Sequence, residues 1–380
     1  MRWVMCLVMA AGCGSADPET LFEPGDTPVG YAQTSLSYTG PAVAGERELS
    51  VQVWYPADTA GTPTVYRVAG IVERPSDLAI DSPEPASNGP FPVILYTHGS
   101  GGEGLLGYPL GEHLASHGFI VVAPDHAGNT ARDALNNTWA PFLRTTVNRP
   151  LDVIATLDEV EAGIVGGLEA DMDRVMVVGH SFGGYTTLTI GGAVLDVDAY
   201  VDDCIDPPEE DDGSCEVLAN ADVEAAMRDG FRDERVGAIV PQAPALVPNF
   251  LPESLAGIEI PSMLQSGERD QSTTHEMQAV PAWNGLSDPR DTWVNLPDGG
   301  HYSFVTICED LTSSQLSIFR PDAPDDGCDE TFTPISVTVP TLVAYTHAFA
   351  NLHLLGKNAW ADAIAGDPWR DGFEVQVRGE

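Results

Sequence analysis

Lysine is almost missing from this chain. Of the 17 basic residues, sixteen are arginine and one, Lys357, is lysine, against 57 acidic residues and a formal net charge of -40. A surface covered mainly by carboxylates repels nucleic acid and anionic membranes, so neither is expected as a partner, and it suits solubility in a salty medium. Long hydrophobic runs are wanting too: the apolar stretch Trp3 to Ala11 is too short to span a bilayer as a structural helix. No repeat recurs at a fixed period, which excludes solenoids and propellers. Cysteine is sparse, and no C-x-x-C or paired-His spacing of the common zinc sites accompanies it.

What is present begins with a targeting pattern. Arg2 precedes the apolar run, and Ala10, Ala11, Gly12 and Cys13 resemble a bacterial lipobox, in which the cysteine is lipidated and becomes the first mature residue. The expectation is an exported envelope lipoprotein held to the membrane only through Cys13, with plain secretion as the alternative. Beyond Cys6 and Cys13 there remain Cys204, Cys215, Cys308 and Cys328. An even number in an oxidising compartment suggests disulfides, with the neighbouring pairs Cys204–Cys215 and Cys308–Cys328 favoured over the other connectivities and over zinc.

The layout reads as a signal segment at 1–13, a Pro-, Gly- and acid-rich tether at 14–30, one catalytic domain at 31–365 and a tail at 366–380. Leu49 to Tyr55 alternates apolar and polar residues, as an antiparallel strand at a sheet edge does. Pro92 to Thr97, Phe119 to Ala123, Arg174 to Val178, Val236 to Val240, Ile260 to Leu264 and Thr292 to Leu296 do not alternate, which suits strands buried on both faces. Helical stretches separate them. Leu105 to His117 is one, and Val153, Leu157, Val160 and Ile164 form a stripe behind Pro150, placed at a first turn. A last helix carries Leu342, Tyr345, Phe349 and Leu352. The fold class expected is α/β, a mostly parallel sheet flanked by helices. Residues 194–235 break the rhythm as an acidic, cysteine-bearing insertion, read as a lid or rim. Its carboxylates, Asp202, Asp203 and Glu209 to Asp212, are either solvated or a calcium site, without EF-hand spacing.

The chemistry concentrates at Gly179, His180, Ser181, Phe182 and Gly183, a G-x-S-x-G pattern with a buried strand before it and a helix after. A nucleophile on so sharp a turn needs small residues two positions away on each side, where the flanking chains pass. Serine also needs a base. His301 follows the last predicted strand and is the candidate, with Asp270, between Ser181 and His301 in the chain, as the acid that orients it; Glu268 and Asp298 are its rivals. Donors for a tetrahedral oxyanion are expected from the backbone N–H of Phe182 and of Ser100, the latter in the turn His98 to Gly102. No metal or organic cofactor is required.

The segments His98–Gly102, Ala123–Thr130, Asn148–Asp152, Gly179–Gly184 and Gly300–Phe304 together resemble the bacterial α/β-hydrolases called predicted dienelactone hydrolases, relatives of platelet-activating-factor acetylhydrolases. Val240 to Pro244 and Leu114 to Phe119 are also similar to bacterial cutinases and polyester hydrolases, which place their acid where Asp270 stands. The resemblance implies a serine ester hydrolase of the α/β-hydrolase fold, acting on a small-molecule or polymeric ester. Ser181 replaces the cysteine nucleophile of true dienelactone hydrolases. Plasma-type acetylhydrolases carry their acid one strand earlier, where Val240 to Pro244 has no carboxylate. A polyester hydrolase and a lipid esterase are the alternatives, with a non-catalytic envelope-binding protein on the same fold as the remote one. Oligomeric state is not legible.

Overall fold

The runs that do not alternate become the centre of one sheet. The computed structural model describes residues 16–42, 45–68, 70, 72–206 and 211–379; the lipobox and Cys13 lie outside them, as do Glu209 and Glu210. The strands are β1 (Val29–Tyr38), β2 (Arg47–Pro56), β3 (Pro63–Val68), β4 (Val72–Asp81), β5 (Phe91–Thr97), β6 (Ile120–Pro124), β7 (Ala170–His180), β8 (Val236–Gln242), β9 (Met263–Gly267), β10 (Thr292–Leu296) and β11 (Glu374–Val377). They lie in the order β11-β10-β9-β8-β7-β5-β6-β2-β1-β4-β3. From β6 to β10 every pairing is parallel.

Both faces of this centre are covered. Val93 and Leu95 of β5, with Val175 and Val177 of β7, pack beneath helices Phe142–Ala162 and Phe182–Gly191. Their neighbours Ile94, Tyr96, Met176 and Val178 face helices Tyr108–Ser116 and Ile335–His353. Successive residues point to opposite faces and each face is apolar, so the period of two disappears from the hydropathy.

The structure corrects four readings. β2 is antiparallel but not an edge: it lies between β6 and β1, and β1 pairs with it through ten residues. The alternation misled because its polar member Gln52 is buried and accepts the Tyr31 hydroxyl at 2.6 Å. Residues 16–30 are docked rather than a free tether, since Leu21 is buried, Gly25 N–H donates to Ser116 and β1 begins at Val29. The tail returns to the sheet, where β11 pairs antiparallel with β10. Pro150 lies inside helix Phe142–Ala162, not at its start. A proline there leaves the Thr146 carbonyl without its helical donor. The Tyr185 hydroxyl donates to it at 3.0 Å. That contact avoids an unsatisfied buried carbonyl costing about 1–3 kcal/mol. The stripe itself is buried at Val153, Leu157 and Val160, while Gly163 ends the helix before Ile164.

A buried polar strut ties the first half of the chain together. Asp152 accepts both Arg47 guanidinium arms at 2.6 and 2.8 Å, the Tyr38 hydroxyl at 2.6 Å and His126 Nδ1 at 2.9 Å. His126 reaches Thr97 Oγ1 through Nε2 at 2.7 Å, just before the loop that leaves β5. This Thr97–His126–Asp152 row has the connectivity of a catalytic relay, but all three residues are fully buried and it serves as scaffold. Burial, reinforced by the charge of Arg149, holds the His126 imidazole down to about 4, while hydrogen bonds from Arg47 and His126 keep Asp152 low against its own burial.

A histidine depressed in the folded state contributes stability in full above its unfolded value of about 6.5 and loses it as pH falls toward 4. The share of His126 is about 3 kcal/mol. Urea titrations from pH 7 to 4.5 should show falling stability, and His126→Asn should be weaker at pH 7 yet lose roughly one proton from the uptake linked to unfolding.

Candidate active site

β5 and β7 are parallel neighbours, yet the chain leaves β5 toward β6 on the other side, so the strand order reverses between them. The chain segments leaving their carboxyl ends part there and leave a crevice outside the sheet. The register sets Thr97 opposite Gly179, which brings the turn after β5 against the end of β7. Ser181 follows with φ 59° and ψ -117°, a strained conformation for a residue with a side chain, and Phe182 opens the next helix. The close passage needs glycine. A Cβ on Gly183 would lie 2.0 Å from Thr97 O, and one on Gly179 would lie 2.4 Å from Gly183 O. The Ser181 N–H donates to Gln242 O at 2.8 Å, pinning the elbow to the end of β8.

Ser181, His301 and Asp270 meet across this crevice. His301 Nε2 is 2.9 Å from Ser181 Oγ, and His301 Nδ1 is 2.9 Å from Asp270 Oδ2. The Asp270 carboxylate also accepts the N–H of Ser272 at 2.9 Å, the N–H of Thr273 at 2.6 Å and the Thr273 hydroxyl at 2.7 Å. These donors fix the carboxylate against His301 Nδ1, an arrangement that suits holding one imidazole tautomer. The rivals are elsewhere: Glu268 accepts from Asn295, and Asp298 is exposed beside Arg269.

Among the described residues the backbone N–H groups of Ser100 and Phe182 take no acceptor, whereas those of Gly101 and Gly102 are satisfied by Asn129 O and Gly99 O. Two arginines brace this turn from opposite sides. Arg149, wholly buried, donates to His98 O, to Asn129 Oδ1 at 2.8 Å and to Thr186 Oγ1 at 3.1 Å, and lies 4.9 Å from the centre of the Phe182 ring. Burial without a carboxylate in direct contact lowers its pKa to about 9. Arg320 donates to Ser100 O at 3.0 Å and also to Gly101 O.

Sequence reasoning missed three residues that hold the relay. Thr273, three positions after Asp270, was open to detection as an Asp-x-x-Thr turn. Asp326 gave no local signal: it is 2 % exposed, accepts the N–H of His301 and of Gln271 at 2.9 Å each and the Ser272 hydroxyl at 2.8 Å, and so joins the acid loop to the base loop. His180 is buried against the His301 ring, and its Nε2–H donates to His301 O at 2.8 Å.

The cysteines pair as Cys204–Cys215 and Cys308–Cys328. The second bridge closes the segment that carries Asp326 and Arg320. Of this segment Arg320 reaches the cleft at Ser181, whereas no described residue of the 194–235 insertion does: among the described residues the walls are Tyr96, Leu106, His180, Tyr302, Val305, Ile307 and Arg320. Beyond Leu106 and Arg320 opens an apolar recess of about 180 Å³ walled by Leu135, Leu311, Ile318 and Phe319. The described part of the insertion instead caps helix Phe142–Ala162, with Asp212 and Ser214 accepting the N–H groups of Phe142 and Leu143.

A parallel sheet flanked by helices, with a serine on a strand-to-helix elbow at its reversal point, defines the α/β-hydrolase fold. A solved ferulic acid esterase from Streptomyces cinnamoneus superposes with a TM-score of 0.60 at 22% identity, covering 88% of this chain and 92% of that one. Residues 62–207 match the family model described as Chlorophyllase, a stretch that includes Ser100 and Ser181 and ends before Asp270 and His301. Chlorophyllase-1, chloroplastic, of Citrus unshiu and of Citrus sinensis is in each case 29% identical over 153 residues, 38% of this chain. The chain spans 44% of the length of these relatives.

Removing the Asp326 carboxylate would orphan the buried His301 N–H and unpair the part-buried N–H of Gln271. Asp326→Ala should lower stability by about 3 kcal/mol in urea denaturation, and Asp326→Asn, which keeps an acceptor, by less.

Proposed function

We propose that the chain is a serine carboxylic-ester hydrolase with Ser181 as nucleophile, His301 as base and Asp270 as the acid that orients it. The observation that carries the reading is the 2.9 Å and 2.9 Å row from Ser181 Oγ through His301 to Asp270, set on the strained elbow. In the first half-reaction Ser181 Oγ attacks the ester carbonyl carbon as His301 Nε2 takes its proton. The carbonyl oxygen becomes an oxyanion between the N–H groups of Ser100 and Phe182, and His301 returns the proton to the leaving alcohol. Water then attacks the acyl-enzyme with His301 again as base, releasing the acid and free Ser181. Each oxyanion donor contributes about 3–4 kcal/mol in sites of this kind.

The curated chlorophyllases and the ferulic acid esterase neighbour support ester hydrolysis by their names. The recess beside the cleft and the exposed rim residues Leu135 and Ile318 favour an ester with a sizeable apolar portion, which keeps lipid and polyester substrates within the proposal. Two disulfides support an exported protein; lipid anchoring through Cys13 is proposed with it.

Ser181→Ala should abolish hydrolysis of p-nitrophenyl esters and labelling by a fluorophosphonate, and unchanged turnover would remove the mechanism. Asp270→Asn should lower kcat by about 10⁴ through the wrong imidazole tautomer. Esters of increasing acyl length should be cleaved faster until the recess is filled, with Leu135→Asp and Ile318→Asp raising KM for the long members.

A further inference from the structure

Three imidazoles converge on the sheet face opposite the nucleophile's helix. His113 stands in the last turn of helix Tyr108–Ser116, His117 follows that helix, and His347 comes from helix Ile335–His353. One ring nitrogen of each lies within 4.8 Å of the other two, and His113 Nε2 is 3.0 Å from His347 Nδ1. None of them lines the cleft at Ser181. Nitrogens bound to one tetrahedral zinc ion stand about 3.3 Å apart, so small ring rotations suffice to bring the three onto a common centre.

From this convergence we infer that His113, His117 and His347 form a binding site for one divalent transition-metal ion of the zinc class. A packed histidine cluster needs only ring contact, and two further features go beyond that. His117 places its Nε2–H on the Glu23 carbonyl at 3.1 Å, the contact by which metal-bound imidazoles are commonly oriented, and this leaves Nδ1 with the lone pair. Gly25, whose Cβ would lie 2.2 Å from Ser116 O, packs beside this ring without crowding Nδ1, which that Cβ would approach to 3.0 Å. Lys357 opposes a cation near His117 and His347, while Asp26 favours one near His117. An all-imidazole set suits zinc, copper or nickel rather than calcium. The ion would tie helix Tyr108–Ser116 and the turn after it to helix Ile335–His353.

The test uses the full chain stripped with a chelator and titrated calorimetrically with zinc chloride, in excess calcium to occupy surface carboxylates. One equivalent of zinc should bind and raise Tm. His113→Gln and His117→Gln, both at half-buried positions, should each weaken binding about 100-fold and abolish the Tm rise, and Lys357→Met should tighten it. Absence of saturable zinc binding, or binding equally tight in both glutamine variants, would overturn the assignment.

Discussion

Everything at the site depends on how closely two chain segments pass at the end of β7. Gly183 lies against the Thr97 carbonyl with no room for a side chain, and Gly179 lies against Gly183. That passage turns a buried strand directly into a helix and forces Ser181 to a positive φ. The hydroxyl is thereby held out of the sheet at the carboxyl ends of β5 and β7, where the strand order reverses. The strain is carried by regular structure on both sides and by the Ser181 N–H on Gln242 O. A serine in a relaxed loop would have no fixed relation to a base 120 residues away.

The scarce cations of this acidic chain are placed where they matter. Arg149 lies fully buried beneath the turn that carries Ser100, Arg320 reaches the same turn from the far side, and Arg47 neutralises the buried Asp152. A buried cation is costly unless its donors are used, and Arg149 uses them on a carbonyl, an amide and hydroxyls. The two disulfides have different duties. Cys308–Cys328 closes the segment that bears Arg320 and Asp326, while Cys204–Cys215 closes one whose Asp212 and Ser214 cap the helix leading to Pro150.

Much of this was legible before any coordinates. The six parallel strands show as apolar runs because burial on both faces removes alternation, and the elbow shows because only glycine permits its contacts. Ser181 was chosen by its glycine-flanked turn between strand and helix, Asp270 and His301 by chain order, and the structure brings those three together. The edge position of β2, the free tether and the loose tail were misread for a shared reason. Whether a polar residue such as Gln52 faces solvent or a buried partner depends on a strand elsewhere in the chain.

Local pattern therefore determined the element types, the elbow and the order of the reactive residues, since each follows from neighbours within a few positions. Tertiary structure alone decided what surrounds them. Asp326 supports His301 from 25 residues away, the chain from Tyr302 to Ile307 together with Arg320 walls the cleft where the described acidic insertion does not, and His113, His117 and His347 meet from two helices and the turn after the first. Such encounters are settled by the packing of whole elements across the sheet, which no window of neighbouring residues contains.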